Sequence, residues 1–447
     1  MNVVDASATS ASSTPHSTVI AAALGNGLEF FDFTVYSFFG PIIGKLFFPA
    51  SDEFASLLMS LAAFGVGFVI RPLGGVAIGI FADRAGRKPA LLVTVAMMAL
   101  GTGLIGLAPT YEQIGIAAPL LIVLGRLLQG FSAGGEVGAA TTLLMESGSA
   151  GKRGVLVSWQ MASQGSAALA GALIAVLLTK SLTHSQLIDW GWRLPFVIGL
   201  AIGPIGFFLR TRIEDTSRHL HSRPDDAAKV RHRLPVRQIV AGVMLVIGST
   251  ATMYTIVFFL PTFLTLTLHM PPATALPSSC AAGVILLVGS PLAGKLADRV
   301  VSRKRLLFAS TVASLAVLLP AFWAIAAFPS MATVAVAVSV LVGLMTLSSP
   351  PGFLMILEAL QPEVRATALG IIYAIGVTLF GGFAQFIVGA LWRATGSFYA
   401  PAWYVLGCGC LSLLGLLLFR ETPPSRSRDA ARRQRDGREP GPRRLSD

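Results

Sequence analysis

Residues 57–88 read LLMSLAAFGVGFVIRPLGGVAIGIFADRAGRK. The stretch 57–81 is apolar except for Ser60 and Arg71, and it stops at a polar cluster, Asp83-Arg84-Ala-Gly86-Arg87-Lys88. An α-helix rises about 1.5 Å per residue, so about 20 mostly apolar residues cross the roughly 30 Å hydrocarbon layer of a bilayer. The run is continuous rather than alternating with period two, which selects a helix over a barrel strand. A membrane-crossing helix followed by a short basic loop is the reading.

The same pattern recurs on both sides of this stretch. With 54% hydrophobic and 13% charged residues among 447, and a mean hydropathy of +0.72, the chain has too little polar surface to cover a water-soluble core. Twelve spans are predicted: 18–42, 57–81, 90–108, 117–145, 154–179 and 193–209 in the first half, then 237–266, 279–297, 306–327, 331–357, 366–391 and 401–419. The fold class is an all-α integral membrane protein.

Placing the N-terminus in the cytoplasm assigns 28 of the 34 Lys and Arg residues to cytoplasmic segments. Lys45, Lys180, Arg193 and Arg393 fall outside, and Arg71 and Arg126 lie within spans. Positive loops gather on the cytoplasmic side, so both termini are expected there. This topology explains the net charge of +12 better than nucleic-acid binding does. The N-terminal segment has no basic n-region, and no cleaved signal peptide is expected. Cys280, Cys408 and Cys410 all fall in spans, where they read as small apolar residues, so neither a disulfide nor a metal site is expected.

The chain divides into a cytoplasmic tail (1–17), a first six-helix bundle (18–209), a charged linker (210–236), a second bundle (237–419) and an Arg-rich tail (420–447). The last is expected to be disordered, with a minor attraction to anionic lipid headgroups. The bundles repeat one another. Asp83-Arg84 recurs as Asp298-Arg299 at an offset of 215, Glu146 and Arg153 recur as Glu358 and Arg365 at 212, and Trp192 recurs as Trp403 at 211. Internal repeats are how many secondary transporters build two bundles around a site at the bilayer midplane.

Gly79-Ile-Phe-Ala-Asp83-Arg84-Ala-Gly86-Arg87-Lys88 resembles the loop signature of the major facilitator superfamily. Its second copy, from Gly294 through Asp298-Arg299 to Arg303-Lys304, is degenerate. Gly25-Asn26-Gly-Leu-Glu29-Phe-Phe-Asp32, Arg71-Pro72-Leu-Gly74-Gly75, Gly125-Arg126-Leu-Leu-Gln129-Gly130 through Glu136, and Trp190-Gly-Trp192-Arg193-Leu-Pro195 are similar to the metabolite:proton symporters within it. The wording around Phe48-Pro-Ala-Ser and Ser158-Trp159-Gln160 is most similar to citrate and tricarballylate carriers. The resemblance implies a twelve-helix symporter in the cell inner membrane that takes up a small organic acid with protons as coupling ion and no other cofactor. It also implies a cytoplasmic charge cluster of Asp83, Arg84, Arg87, Glu146 and Arg153, with Gly79 and Gly86 in the same motif and Asp298, Arg299, Glu358 and Arg365 as its second copy, that holds one conformation closed. A monomer in contact with membrane lipids is expected.

Five ionisable residues fall inside first-half spans: Glu29, Asp32, Arg71, Arg126 and Glu136. A charge at the bilayer centre costs about 3 kcal/mol or more unless paired or hydrated, which makes these the candidates for function. Gly25, Glu29, Asp32 and Tyr36 share one helix face, as do Arg126, Gln129, Ala133 and Glu136. Three carboxylates against two guanidinium groups leave one acid over, a candidate proton carrier. Glu136 or Asp32 fits that role, with Glu29 held by Arg71. Arg126 is able to meet a substrate carboxylate with two parallel hydrogen bonds, with Arg71 a second substrate-binding candidate and Gln160 and Gln164 helping, while Tyr254 and Tyr373 close the site from the other half. The competing reading is a fixed network that holds the helices together, with the four polar residues satisfied in packing.

Small residues four apart, Gly75 and Gly79, and Gly130, Gly134 and Gly138, allow close helix contact, and Pro350-Pro351 is expected to bend its span. Proton-coupled export and a non-transporting sensor use the same fold and charges and remain alternatives. An enzyme is disfavoured: the six His residues, at 16, 184, 219, 221, 232 and 269, lie outside the spans with no paired carboxylate or Cys at ligand spacing.

Overall fold

The computed structural model describes residues 16–85, 87–134, 136–149, 151–201, 235–361 and 364–421. Among these the regular structure is helical throughout. The first six passages are α1 (His16–Phe47), α2 (Glu53–Val69 continuing as Arg71–Ala85), α3 (Arg87–Gly106), α4 (Ala117–Ala133 continuing as Glu136–Glu146), α5 (Arg153–Ser181) and α6 (194–201 as far as it is described). The second six are α7 (Val236–Leu268), α8 (Pro272–Ala297), α9 (Arg303–Ala327), α10 (Met331–Ala359), α11 (Arg365–Thr395) and α12 (Ala400–Leu418). Among the described residues α2, α4, α5 and α7 to α12 each have the length and hydropathy of a bilayer span. Residues 210–234 of the expected linker, most of the N-terminal tail and the tail from 422 onward lie outside the described residues.

Local chemistry sets the helix ends. Asp52 accepts a hydrogen bond from Ala55 N at 2.7 Å and so starts α2, and Ser330 does the same for α10 through Thr333 N at 3.1 Å. Gly396, at φ 64°, takes the left-handed turn that ends α11. Leu73, Val76, Leu120, Val288, Leu292 and Leu417 are exposed, so the bundle presents apolar side chains outward, as a lipid-facing surface requires.

The two sets of six helices meet along small residues. In α5 and α8, Gly154 faces the backbone of Gly294, and a Cβ on Gly165 or Gly283 would lie 2.5 Å from Leu286 Cβ or 2.7 Å from Leu169 N, respectively. Between α2 and α11, Gly65 accepts the ring of Phe383 and Gly382 accepts the ring of Phe68, while Thr378 donates to Phe68 O at 2.9 Å. Within the first six, Gly130 and Gly134 of α4 lie against the backbone of Gly67 and Arg71 in α2. Gly138 instead faces Ala366 of α11, whose carbonyl would be 2.6 Å from an added Cβ. Gly79 does not pack: it is exposed, with open space where a side chain would stand. The proline pair lies inside a helix that runs unbroken from Met331 to Ala359.

Two segments wind as π-helix, Met253–Phe259 in α7 and Thr378–Gly382 in α11. Wider winding leaves carbonyls without their usual partners, and hydroxyls from neighbouring helices meet two of them: Ser279 donates to Val257 O at 2.6 Å and Tyr404 to Phe380 O at 2.7 Å. Such segments recur at functional sites, and both lie in helices that touch the first six.

Candidate functional site

The charged residues of α1, α2 and α4 assemble into two linked groups. Glu29 and Arg71 form a buried ion pair, Arg71 Nη2 to Glu29 Oε1 at 3.2 Å, with the Arg71 guanidinium 4.2 Å from the Phe68 ring centroid and 4.7 Å from that of Phe33. About one helix turn farther along α1, Asp32 Oδ2 accepts from the Thr102 hydroxyl of α3 and from Gln129 Nε2 of α4 at 3.2 Å. Gln129 Oε1 in turn accepts from Arg126 Nη1 at 2.9 Å. Gln129 therefore joins Asp32 to Arg126, which make no direct ion pair.

Arg126 is fully buried and its guanidinium lies 3.6 Å from the centroid of the Tyr36 ring, with Phe33 and Phe64 farther off. Its Nη1 is committed to Gln129. Its Nε and Nη2 have no hydrogen-bond partner among the described residues. Those two N–H groups form the edge that meets a carboxylate side-on, and leaving them buried without an acceptor is costly.

From the facing half, Tyr254 packs on Phe68 at 5.5 Å and on Phe64 at 6.2 Å, and Tyr373 is buried against Phe353. The Tyr254 hydroxyl and Gln164 Nε2 are buried without partners among the described residues. Gln160 is used differently: its Nε2 donates to Asn26 Oδ1 at 2.8 Å while Asn26 donates to Gln160 O at 3.0 Å and to Ser163 Oγ at 2.7 Å, which ties α1 to α5. Only its Oε1 lacks a partner among the described residues. Glu136 stands apart from Arg126 and lines a cavity with Glu29 and Asp32. Thr102, Asn26 and Ser163 carry no charge, and a hydropathy reading passes over them.

The family model described as the Major Facilitator Superfamily matches residues 22–319 and 278–445. The chain belongs to the major facilitator superfamily. It is 36% identical over 419 residues to the citrate-proton symporter of Klebsiella pneumoniae, covering 90% of this chain and 92% of that one. It is 31% identical over 424 residues to the proline/betaine transporter of Escherichia coli K12, covering 90% and 83% respectively. The crystal structure of a D-xylose-proton symporter superposes with a TM-score of 0.75 at 20% identity over 92% of this chain and 99% of that one, a likeness of fold. This major facilitator is a multi-pass membrane transporter, and its relatives are named transporters rather than enzymes.

The motif residues of this major facilitator are spread over the face that bears the start of α1. Arg365 of α11 donates to Glu146 of α4 at 2.9 Å, across the two halves. Asp298 of α8 accepts from Gly154 N at 2.7 Å and Val155 N at 3.1 Å, which caps α5 across the same boundary. Glu358 pairs with Arg303 inside the second half. Arg153 is partly buried, whereas Arg84 and Arg299 are exposed. Gly86 lies outside the described residues, as do the side chains of Asp83 and Arg87. On the opposite face, Arg393 at the far end of α11 pairs with Asp52 at 2.8 and 3.3 Å. Helix α11 is thus tied to the first half at both ends.

Proposed function

We propose that the protein is a proton-coupled symporter that takes up a small organic anion, a di- or tricarboxylate such as citrate, by alternating access, with both termini in the cytoplasm. The observation that carries this reading is the Arg126 guanidinium, buried and anchored at Nη1 with its Nε–Nη2 edge unsatisfied. A carboxylate is the group that matches two parallel N–H donors. The 36% identity to a citrate-proton symporter supports a polycarboxylate, and the proline/betaine relative shares a carboxylate-bearing substrate.

The link from Arg126 through Gln129 to Asp32 supplies the coupling. With Asp32 ionised, its negative charge faces Arg126 through the Gln129 amide and competes with an incoming anion. A proton on Asp32 removes that competition, and the substrate carboxylate becomes the counter-charge of Arg126. The Tyr36 ring covers Arg126, so substrate entry requires this ring to move. Tyr254, Gln164 and Tyr373 then meet the far side of the substrate from across the boundary. Loss of the proton restores the Asp32 charge and expels the anion. Each ligand shifts the balance of states only by its differential affinity for them, which is what this competition provides. Arg71 and Glu29 remain paired throughout and hold α2 to α1.

The test is uptake of labelled citrate, tricarballylate, 2-oxoglutarate, shikimate and proline into proteoliposomes under an inward proton gradient. Accumulation of a carboxylate, abolished by a protonophore, is the expected result. No accumulation of any by correctly inserted protein would overturn symport in favour of export or sensing.

A further inference from the structure

Along α1 the substrate-facing rings and the Asp32 carboxylate meet different neighbours. Tyr36 and Phe33 turn toward α2 and, through Phe64 and Phe68, toward Tyr254 of the facing half. Gly25, Leu28, Glu29 and Asp32 line a cavity of about 60 Å³ in the first bundle, whose other walls come from α3, α4 and α6, and Glu29 also reaches Arg71 on α2. That is room for a few water molecules. The cavity has length: its α3 lining runs from Thr102 to Thr94, eight residues or about 12 Å of helix, toward the face that bears the start of α1. Asp32 and Thr102 stand at one end, and Thr94 and Glu136 at the other. Glu136 is partly exposed, whereas Asp32 is 4% exposed.

The Asp32 carboxylate points into this space. Its Oδ2 takes the bonds from Thr102 and Gln129, while its Oδ1 accepts none among the described residues and stands beside Gly199 of α6. A Cβ at position 199 would lie 2.7 Å from Oδ1, so only glycine leaves that oxygen open to the cavity. The charged groups around Asp32 are Arg126 through Gln129 on α4, Glu29 on its own helix and Glu136 across the cavity. The described residues of α3 and α6 on this cavity bring none.

We infer that this cavity is a proton exit of its own, separate from the substrate's path, in which Glu136 takes the proton from Asp32 and passes it to the side bearing the start of α1. The O–H bond at Asp32 Oδ1 breaks, cavity water relays the proton, and an O–H bond forms on the Glu136 carboxylate before release to bulk water. Asp32 regains its charge without the proton crossing the aromatic layer over Arg126. Glu136 is a positioning and relay residue that never touches the substrate, and Gly199 keeps Oδ1 accessible. The inference rests on the symport reading above and deepens it.

The experiment compares proton-driven citrate accumulation with citrate–citrate exchange in proteoliposomes. Exchange returns the protonated carrier across the membrane and needs no proton release. Accumulation by the unaltered protein tests the symport reading; its absence would overturn that reading and the exit with it. Given accumulation, Glu136→Gln is expected to lower it about tenfold while exchange falls less than threefold, Glu136→Asp to restore at least half of it, and Gly199→Ala to repeat the Glu136→Gln pattern. Unchanged accumulation in Glu136→Gln would overturn the exit, and so would a parallel loss of accumulation and exchange, which marks a structural residue.

Discussion

The two six-helix halves match in their loops and part company inside the membrane. Asp-Arg pairs, acids and arginines recur at nearly constant offsets at the loop ends, yet the five charged residues that stand well inside predicted spans all lie in the first half. The second half answers with wound-out backbone: both π segments are in α7 and α11, and the polar side chains it turns to the first half within the spans, Tyr254, Thr378 and Gln385 among them, are uncharged. Trp192 and Trp403 condense the contrast, since the first is fully buried and its repeat is half exposed to the surroundings. The lesson is a division of labour. Charge chemistry sits on one bundle, and the other supplies a neutral, deformable wall that closes on it.

The sharpest way to break this comparison is at Arg126. Arg126→Lys keeps the charge and loses the planar fork, so KM for the carboxylate is expected to rise about 100-fold, the equivalent of roughly 3 kcal/mol. A KM within threefold of the unaltered protein would remove the site from Arg126. Next comes Tyr254→Phe in the facing wall. It deletes a buried hydroxyl with no partner among the described residues, and a loss of about tenfold in KM with the proton-to-substrate ratio unchanged is expected from one neutral hydrogen bond to substrate. A changed ratio would place proton chemistry in the second half and end the division.

The smallest effects belong to the ion pairs at the two ends of α11. Arg365→Ala and Arg393→Ala are expected to shift accessibility, read by labelling of single cysteines on each side, in opposite senses and by about two- to fivefold, the worth of exposed pairs. A shift in the same sense would show that the pairs do not oppose one another. The Asp52 carboxyl is held below the usual carboxylate range by the Ala55 N–H and then by Arg393. Its contribution is therefore present above the unpaired value of about 4 and is lost only as pH falls through the lowered one. Accessibility on that face should stay flat from pH 5 to 8, and a titration in that window would implicate another group.

Much of this was legible in the residues. Among the described residues, continuous apolar runs gave the spans to within a few residues, though α8 starts at Pro272 rather than 279 and α1 extends to Phe47 rather than 42. The Glu29–Arg71 pair followed from equal depth on neighbouring helices. Gln129 as the bridge was half visible, on the face it shares with Arg126. Thr102 and Gly199 were not, since a hydroxyl and a glycine in an apolar run carry neither charge nor period. The π segments were hidden as well: hydropathy counts residues, not winding, and Gly381-Gly382 was the only hint. Gln160 shows the reverse error of expectation, a glutamine one turn from Gln164 whose amide N–H₂ is spent on Asn26 rather than left toward the substrate.

The central claim, that coupling resides in Asp32 joined through Gln129 to Arg126, meets its most direct test in Asp32→Asn, assayed for proton-driven citrate accumulation and citrate–citrate exchange in the same vesicles. The account predicts that accumulation vanishes while exchange persists, because the amide mimics the protonated acid beside an intact Arg126. Accumulation that survives, or exchange that disappears along with it, would contradict the account.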